Sequence, residues 1–279
     1  MKSNLADICE YAKSKVDVTI LNEETYISTE NMIPNKGGIT NASSLPTMTQ
    51  TQEFLAGDVL VSNIRPYFKK IWFAEFNGGC SNDVLVFRAK DGVNKRFLYY
   101  VLADDAFFDY SMATSKGTKM PRGDKEAIMK YEVPAFSYEE QGRIAGILEA
   151  LDRKIQLNTE INKNLEQQAQ AYFEELFVAN ADPIWPECTL SDIGTIVAGG
   201  TPSKSKVEYY ADHGIAWITP KDLSVDKSKF ISRGENDISE LGFSKSSAAK
   251  MPAGTVLFSS RAPIGYIAIA QNEVTTNQG

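Results

Sequence analysis

The sequence predicts an α+β protein: a β-rich domain, one long coiled-coil-forming helix, and a second, partial β-rich domain. Three observations carry that reading. AGDVLVSNIRP at 56–66 returns as AGTVLFSSRAP at 253–263, identical at six of eleven positions, and such self-similarity is the mark of a repeated unit. Short β-branched and aromatic runs punctuated by glycine turns fill both flanks. Between them lies a proline-free stretch whose apolar residues recur at alternating spacings of four and three.

Two further islands support the repeat. Residues LADI at 5–8 match LSDI at 190–193, and YISTENM at 26–32 has the profile of WITPKDL at 217–223. A fourth, weaker match sets SND at 81–83 against TNQ at 276–278. The offsets of 185, 191, 197 and 195 residues follow from those numbers and keep chain order, as a diverged duplication with small loop insertions would. The second copy stops at the counterpart of Asp83, whereas the first continues through 84–177, so the second domain is expected to hold only its N-terminal half. The expected boundaries are 1–136 for the first domain, 137–178 for the helix, 179–187 for a linker containing two prolines, and 188–279 for the partial second domain.

In the first domain VTIL, TYIST, DVLVSNI, KKIWFAEF and DVLVFRA read as strands, separated by turn formers such as NKGG and FNGG. KRFLYYVLADDAFFDYSM reads as a helix. Ser137 followed by Glu140 forms a capping box that starts the long helix. Its seam runs through Ile144, Leu148, Leu151, Ile155, Asn158, Asn162, Leu165, Ala169, Tyr172 and Leu176. About 39 residues give a rod of roughly 58 Å, more than one domain needs for its own core. Buried Asn158 and Asn162 would fix register and partner. The plainer alternative is an amphipathic helix folded onto its own domain.

Composition excludes several classes. No apolar run reaches the roughly 18–20 residues that span a bilayer, and the N-terminal MKSNLADICEYAK has no apolar signal core, so a cytoplasmic protein is expected. The three cysteines stand far apart and the single histidine, His213, has no partner of its kind, so neither metal nor cofactor is expected. There is no glycine-rich cofactor fingerprint, no phosphate-binding GxxxxGK[ST], and no constellation to make a nucleophile of Ser259 or Ser260. The formal charge of −7 is uneven: Lys and Arg number 16 against 17 acids in 1–136, 4 against 8 in 137–178, and 9 against 11 in 179–279. Both flanks are near neutral, which leaves room for a local basic face on each.

The plan of domain, long helix and domain, with EQGRIAGILEALDRKIQLN opening the helix, resembles the specificity subunit of type I restriction-modification systems. The family pattern of that helix falls on Glu140, Gln141, Ile144, Ala145, Leu148, Leu151, Asp152, Lys154, Ile155, Leu157 and Asn158. GGTPS at 199–203, WITPKDL, SSRAPIG at 259–265 and TTNQG at 275–279 look like successive landmarks of a recognition domain in that family. The first domain departs from the pattern, with SNIRP for SSRAP and nothing like GGTPS. The resemblance implies a noncatalytic protein that reads a bipartite double-stranded DNA target, an antiparallel helix pair setting the spacer. Methyl transfer and cleavage would belong to separate modification and restriction subunits.

Candidate DNA contacts combine glycines, which let a backbone approach phosphate, with Lys and Arg. In the first domain they are Arg65, Tyr67, Lys69 and Lys70, after a strand, and Lys116, Lys119 and Arg122 in the loop TSKGTKMPRGDK. In the second they are Thr201, Ser203, Lys204, Lys206, Tyr209, Lys221 and Arg261, with Arg261 and Arg65 expected to be one contact shifted by a residue. The unmatched seam predicts a homodimer through 137–177. The competing class is a coiled-coil scaffold that assembles proteins without reading DNA.

Overall fold

The computed structural model describes residues 2–279, the side chain of Lys2 excepted, as two compact units, Met1–Ala179 and Asn180–Gly279. In the first, β1 (Lys2–Asn4) leads into the short α1 (Leu5–Ile8), followed by β2 (Cys9–Tyr11), β3 (Lys15–Asp17), β4 (Tyr26–Ile27), β5 (Gln50–Phe54), β6 (Val59–Ser62), β7 (Ile71–Phe73), β8 (Gly78–Cys80) and β9 (Val84–Ala89). Then come α2 (Lys95–Ala103), α3 (Asp105–Ala113), α4 (Lys125–Ile128), β10 (Glu132–Pro134) and the long α5 (Tyr138–Glu174). Two four-stranded sheets, ordered β2-β9-β6-β7 and β3-β5-β8-β4, face each other, and β10 returns to pair with β1.

The central strands are apolar on both faces because both faces are covered. Residues of a strand point alternately to opposite sides. Leu60, Val84 and Val86 therefore meet Ile27, Phe54 and Cys80 of the facing sheet. Val59, Val61, Leu85 and Phe87 turn the other way, onto Leu98, Leu102, Phe107 and Phe108 of α2 and α3. Asp58, in the turn that leads into β6, has a 4% exposed side chain and takes two hydrogen bonds from the Arg88 guanidinium of β9 at 2.9 and 2.6 Å.

The second unit contains α6 (Leu190–Ile193), β11 (Tyr210–Ala211), β12 (Ile215–Ile218), α7 (Pro220–Val225), β13 (Phe230–Ile231), β14 (Asn236–Ile238), α8 (Glu240–Ser244), β15 (Val256–Phe258), β16 (Ile267–Ala270) and β17 (Thr275–Thr276). Its sheets are ordered β11-β14-β12-β17 and β13-β16-β15. The repeat seen in the sequence is a repeat of local geometry. Both LADI and LSDI are single helical turns closed by a capping box, Asp7 to the Asn4 N–H and Asp192 to the Thr189 N–H. Gly57 and Gly254 both sit at positive φ, 92° and 87°, in the turn before the shared strand, where a side chain would be strained. The parallel pairing of Tyr26 with Gly79 recurs as Trp217 with Thr275.

Three expectations change. The fourth island is displaced by one residue: Cys80 and Thr276 hold the same ladder place, an offset of 196 (276 minus 80), not 195. The backbone agrees, since Asn63 N–H donates to Asp83 O at 2.8 Å and Ser260 N–H to Gly279 O at 2.7 Å. VTIL is a 3-10 turn over Val18–Ile20, not a strand, because the Asp17 carboxylate accepts from Thr19 N–H and caps it. The single helix expected over 95–112 is two, broken at Asp104, whose extended backbone and side-chain bond from Ala106 N–H start a new helix.

The long helix forms as one piece. Ser137 Oγ accepts from Glu140 N–H and the Glu140 carboxylate accepts from Ser137 N–H, which also holds that carboxyl below its usual range. Its 37 residues run roughly 55 Å. No helix among the described residues is long and apolar enough to cross a membrane. Asp58→Ala leaves the Arg88 guanidinium without its partner and is expected to lower the stability of the first unit by about 3 kcal/mol. Hydrogen exchange of the β6 and β9 amides checks this; a loss below about 1 kcal/mol would show that the pair contributes little.

Candidate nucleic-acid interface

The candidate residues of the first unit gather where β6 ends. The loop TSKGTKMPRGDK folds as a small hairpin: Lys116 and Arg122 exchange backbone hydrogen bonds at 2.9 Å, with Gly117 at φ 91° in the bend. The hairpin docks on the chain leaving β6. Arg65 N–H donates to Pro121 O at 2.8 Å, and Gly123 N–H to Asn63 O at 3.2 Å. A Cβ at Gly123 would stand 2.8 Å from Asn63 Oδ1 and Ile128 Cδ1 and 2.9 Å from Ser111 Oγ, so a larger residue would have to displace those side chains. Arg65, Lys116, Lys119 and Arg122 thereby share one surface, although 51 residues (116 minus 65) separate the two stretches.

Several of these charges are already engaged. Arg122 pairs with Asp83 at 3.1 Å and Lys116 with Asp124 at 2.5 Å, which raises the Lys116 pKa. Lys69 and Lys36 hold the two oxygens of Asp105 at 2.8 Å each, tying the turn after β6 to α3. Hydrogen bonds from Lys36 and then Lys69 push the Asp105 carboxyl down to about 2, and the bond to Asp105 raises Lys69. Lys70 donates from Nζ to Thr29 O at 2.6 Å, and burial lowers its pKa. Tyr67 is exposed beside Phe68. Lys119, at the hairpin tip, has no partner for its ammonium among the described residues. Arg65 adopts positive φ, 50°, and its Nε is buried without a hydrogen bond.

The structure adds residues that the sequence reading passed over. A polar cavity of about 460 Å³ opens beside this surface, walled by Ser28, Thr29, Glu30, Asn31, Asn41, Ser43 and Asp83 among others. Asn31 organises it: its Oδ1 accepts from Ser28 N–H at 2.6 Å and its Nδ2 donates to Tyr26 O and Thr40 O. Uncharged Ser, Thr and Asn in a loop carry no charge signal. The only hint was the alignment of STEN at 28–31 with TPKD at 219–222, where Asp222 caps Thr219 as Asn31 caps Ser28.

In the second unit the segment 276–279 is the organiser. Thr201 Oγ1 donates to Gln278 Oε1 at 2.8 Å, and the Ser260 and Arg261 N–H groups both donate to Gly279 O. Thr201 and Arg261 therefore flank one loop. Ser203 Oγ lies 2.9 Å from Ser205 Oγ, Lys206 is 3.9 Å from Glu208, and Lys221 meets Glu235 at 2.5 Å. Tyr209 O accepts from Ser239 N–H. Lys204 is exposed, and neither it nor the Arg261 guanidinium has a partner among the described residues. By ladder register Arg261 corresponds to Ile64, the neighbour of Arg65.

The helix splits its seam. Ile144 and Leu148 are half-buried, near the end that packs on α2, whereas Leu151, Ile155, Asn158, Asn162, Leu165, Ala169, Tyr172 and Leu176 are exposed. The plainer alternative holds for the first turns only.

An α+β domain with a cation-bearing hairpin at its strand ends, a projecting helix and a related β-rich unit is the arrangement defined by these observations. The chain belongs to the type I restriction modification DNA specificity domain family, whose model matches residues 1–167 and 184–279. The specificity subunit of the type I restriction enzyme MjaIX of Methanocaldococcus jannaschii is 45% identical over 107 residues, 38% of this chain and 24% of that protein. That match thus spans about a quarter of the relative. The HindI specificity subunit of Haemophilus influenzae is 24% identical over an alignment covering 99% of this chain and 77% of its own. The crystal structure of a type I restriction-modification S subunit from M. genitalium shares the fold, with a TM-score of 0.56 at 16% identity over 100% of this chain and 70% of that one.

The Asp105 carboxylate is expected to titrate near 2 by carbon-detected NMR. Because its folded pKa lies below the usual unfolded value, its contribution to stability is complete above about 4 and is lost as pH falls through about 2. Asp105→Asn is expected to bring the Lys69 pKa down towards its ordinary value; an unchanged Lys69 titration would remove Asp105 as its cause.

Proposed function

We propose that this chain is a noncatalytic, cytoplasmic DNA-reading subunit of a type I restriction-modification complex, with residues 1–136 reading one half of a bipartite duplex target. The observation that carries the reading is the docked hairpin. It places Arg65, Lys116, Lys119 and Arg122 on one surface beside a polar cavity, in a chain whose family is defined by DNA specificity. Lys119 offers an ammonium to phosphate, whereas a guanidinium such as that of Arg65 matches the two acceptors on a guanine edge. The carboxylates of Asp83 and Glu30 and the amide of Asn41 supply acceptors and donors suited to other base edges. In the second unit, Thr201 and Arg261 around 276–279 are the corresponding contacts.

The modification and restriction subunits that such relatives serve are the proposed protein partners, and they carry the bond-making chemistry. The exposed seam from Leu151 to Leu176 is proposed to pair with the same seam of a second copy, holding two first units apart at a set spacing. Asn158 and Asn162 would then face polar partners and set the register.

A selection from random duplexes followed by titration at fixed salt tests the reading. Arg65→Ala is expected to weaken the selected duplex by about 1–3 kcal/mol. Lys119→Ala is expected to weaken all duplexes alike and to reduce the salt slope by about one ion. Absence of salt-dependent duplex binding by the unaltered chain would favour a scaffold instead. Light scattering is expected to show a dimer, and the double variant Leu151→Glu, Leu165→Glu a monomer; both substituted side chains are exposed in the single chain, so its fold is kept.

A further inference from the structure

Two aromatic side chains of the first unit sit on the candidate surface only half covered. Tyr67 is 48% and Phe68 38% exposed, their ring centroids 4.7 Å apart. β6, which leads to them, is buried on both faces, so their exposure does not come from an unfinished core. Met120, 49% exposed, joins the pair through the backbone: it precedes Pro121, whose carbonyl accepts from Arg65 N–H. Large apolar side chains exposed as a group, unlike single ones, point to a contact.

The turn that carries the two rings is fixed by its own bonds and by its neighbours. Pro66 is buried, and its ring sets φ. Phe68 N–H donates to Arg65 O at 3.0 Å and Lys69 N–H to Pro66 O at 2.8 Å. Asn35 N–H and Lys36 N–H, from the facing loop, donate to Phe68 O and Lys69 O at 2.8 and 2.9 Å, and Ser62 N–H donates to Lys70 O at 3.0 Å. Arg65 and Lys69 bracket the turn at φ 50°, and Asn35 and Lys36 face it at 56° and 62°, a region that non-glycine residues seldom occupy. Four such residues in two bonded loops persist only where the surrounding contacts over-determine them. The rings are therefore held outward on a stiff support.

Cations frame this apolar group: Arg65 and Lys69 lie on either side of the rings in sequence, and Lys119 adjoins Met120. An apolar protein surface would have to desolvate those charges, whereas a polyanion with flat apolar faces satisfies both kinds of group. We propose that Tyr67 and Phe68 form a wedge that enters an opened base-pair step of the duplex and stacks on base faces, while Arg65 meets a base edge. The proposal rests on the reading of the first unit as a DNA binder and adds a second source of specificity to it. Pyrimidine–purine steps open most readily, so the target half is expected to carry one where the wedge enters. The position stays apolar in the repeat, where Ile264 follows Pro263 as Tyr67 follows Pro66.

The test uses the full chain and duplexes selected with it, probed by permanganate, which oxidises thymines that have lost their stacking; the flexible TA and CA/TG steps each contain a thymine. Oxidation is expected to rise severalfold at one step of the selected half and to stay low elsewhere. Phe68→Leu is expected to keep that signal. The double variant Tyr67→Ala, Phe68→Ala is expected to abolish it and to weaken the selected duplex at least about tenfold. Its salt slope is expected to be unchanged, because no charge is removed. Both side chains lie outside the core, so the fold is kept. Duplex binding without a reactive step, or with reactivity and affinity unchanged in the double variant, would overturn the wedge and leave the DNA reading standing. Absence of salt-dependent duplex binding by the unaltered chain would overturn both.

Discussion

Gln141 fastens the long helix to its domain, and the rest of the mechanical account depends on that fastening. Its side chain is 5% exposed and satisfied at both ends: Oε1 accepts from Asn94 N–H at 2.9 Å and Nε2 donates to Phe136 O at 2.9 Å. One amide thereby joins the N-cap of α2, the approach to α5 and α5 itself. Ala145 is buried one turn on, and two further contacts follow the same stripe, Arg96 to Glu149 at 3.1 Å and the Tyr100 hydroxyl to Asp152 at 2.8 Å. A helix held over four turns and then left free transmits the orientation of its domain along its length. Loss of the Gln141 bonds would leave a buried amide unsatisfied on whichever side kept it.

The charge distribution follows the same economy of placement. A net charge of −7 coexists with a cationic surface because most lysines and arginines near it are held by nearby carboxylates, at Asp83, Asp105 and Asp124. These pairs position the turn after β6 and the hairpin. They leave Lys119 and Arg65 as the less encumbered cations, so only a small part of the positive charge is available to a polyanion without breaking contacts of the fold.

Much of this was legible in the residues. The repeat was readable because identical turn geometry demands identical residues, as at Gly57 and Gly254, and because inner-layer positions keep their apolar character. The helix was readable because Ser137, Glu140 and the seam act locally. The break at Asp104 was hidden, since aspartate is tolerated inside a helix and becomes a cap only when its neighbours pack two ways. VTIL has the composition of a strand, yet Asp17 closes a turn over it. The polar cavity could not be foreseen, because Asn31 and Asn41 act through backbone partners brought close by folding.

The central proposal is that a stiff helix, fixed at one end to a domain proposed to read DNA, sets the distance between two such readers. A seven-residue insertion after Asn158 keeps the heptad phase and lengthens the rod by about 10 Å, close to three base pairs. Selection of duplex targets with the original and lengthened chains measures the result directly. Unchanged half-sequences separated by about three more base pairs would bear the account out, and an unchanged separation would contradict it.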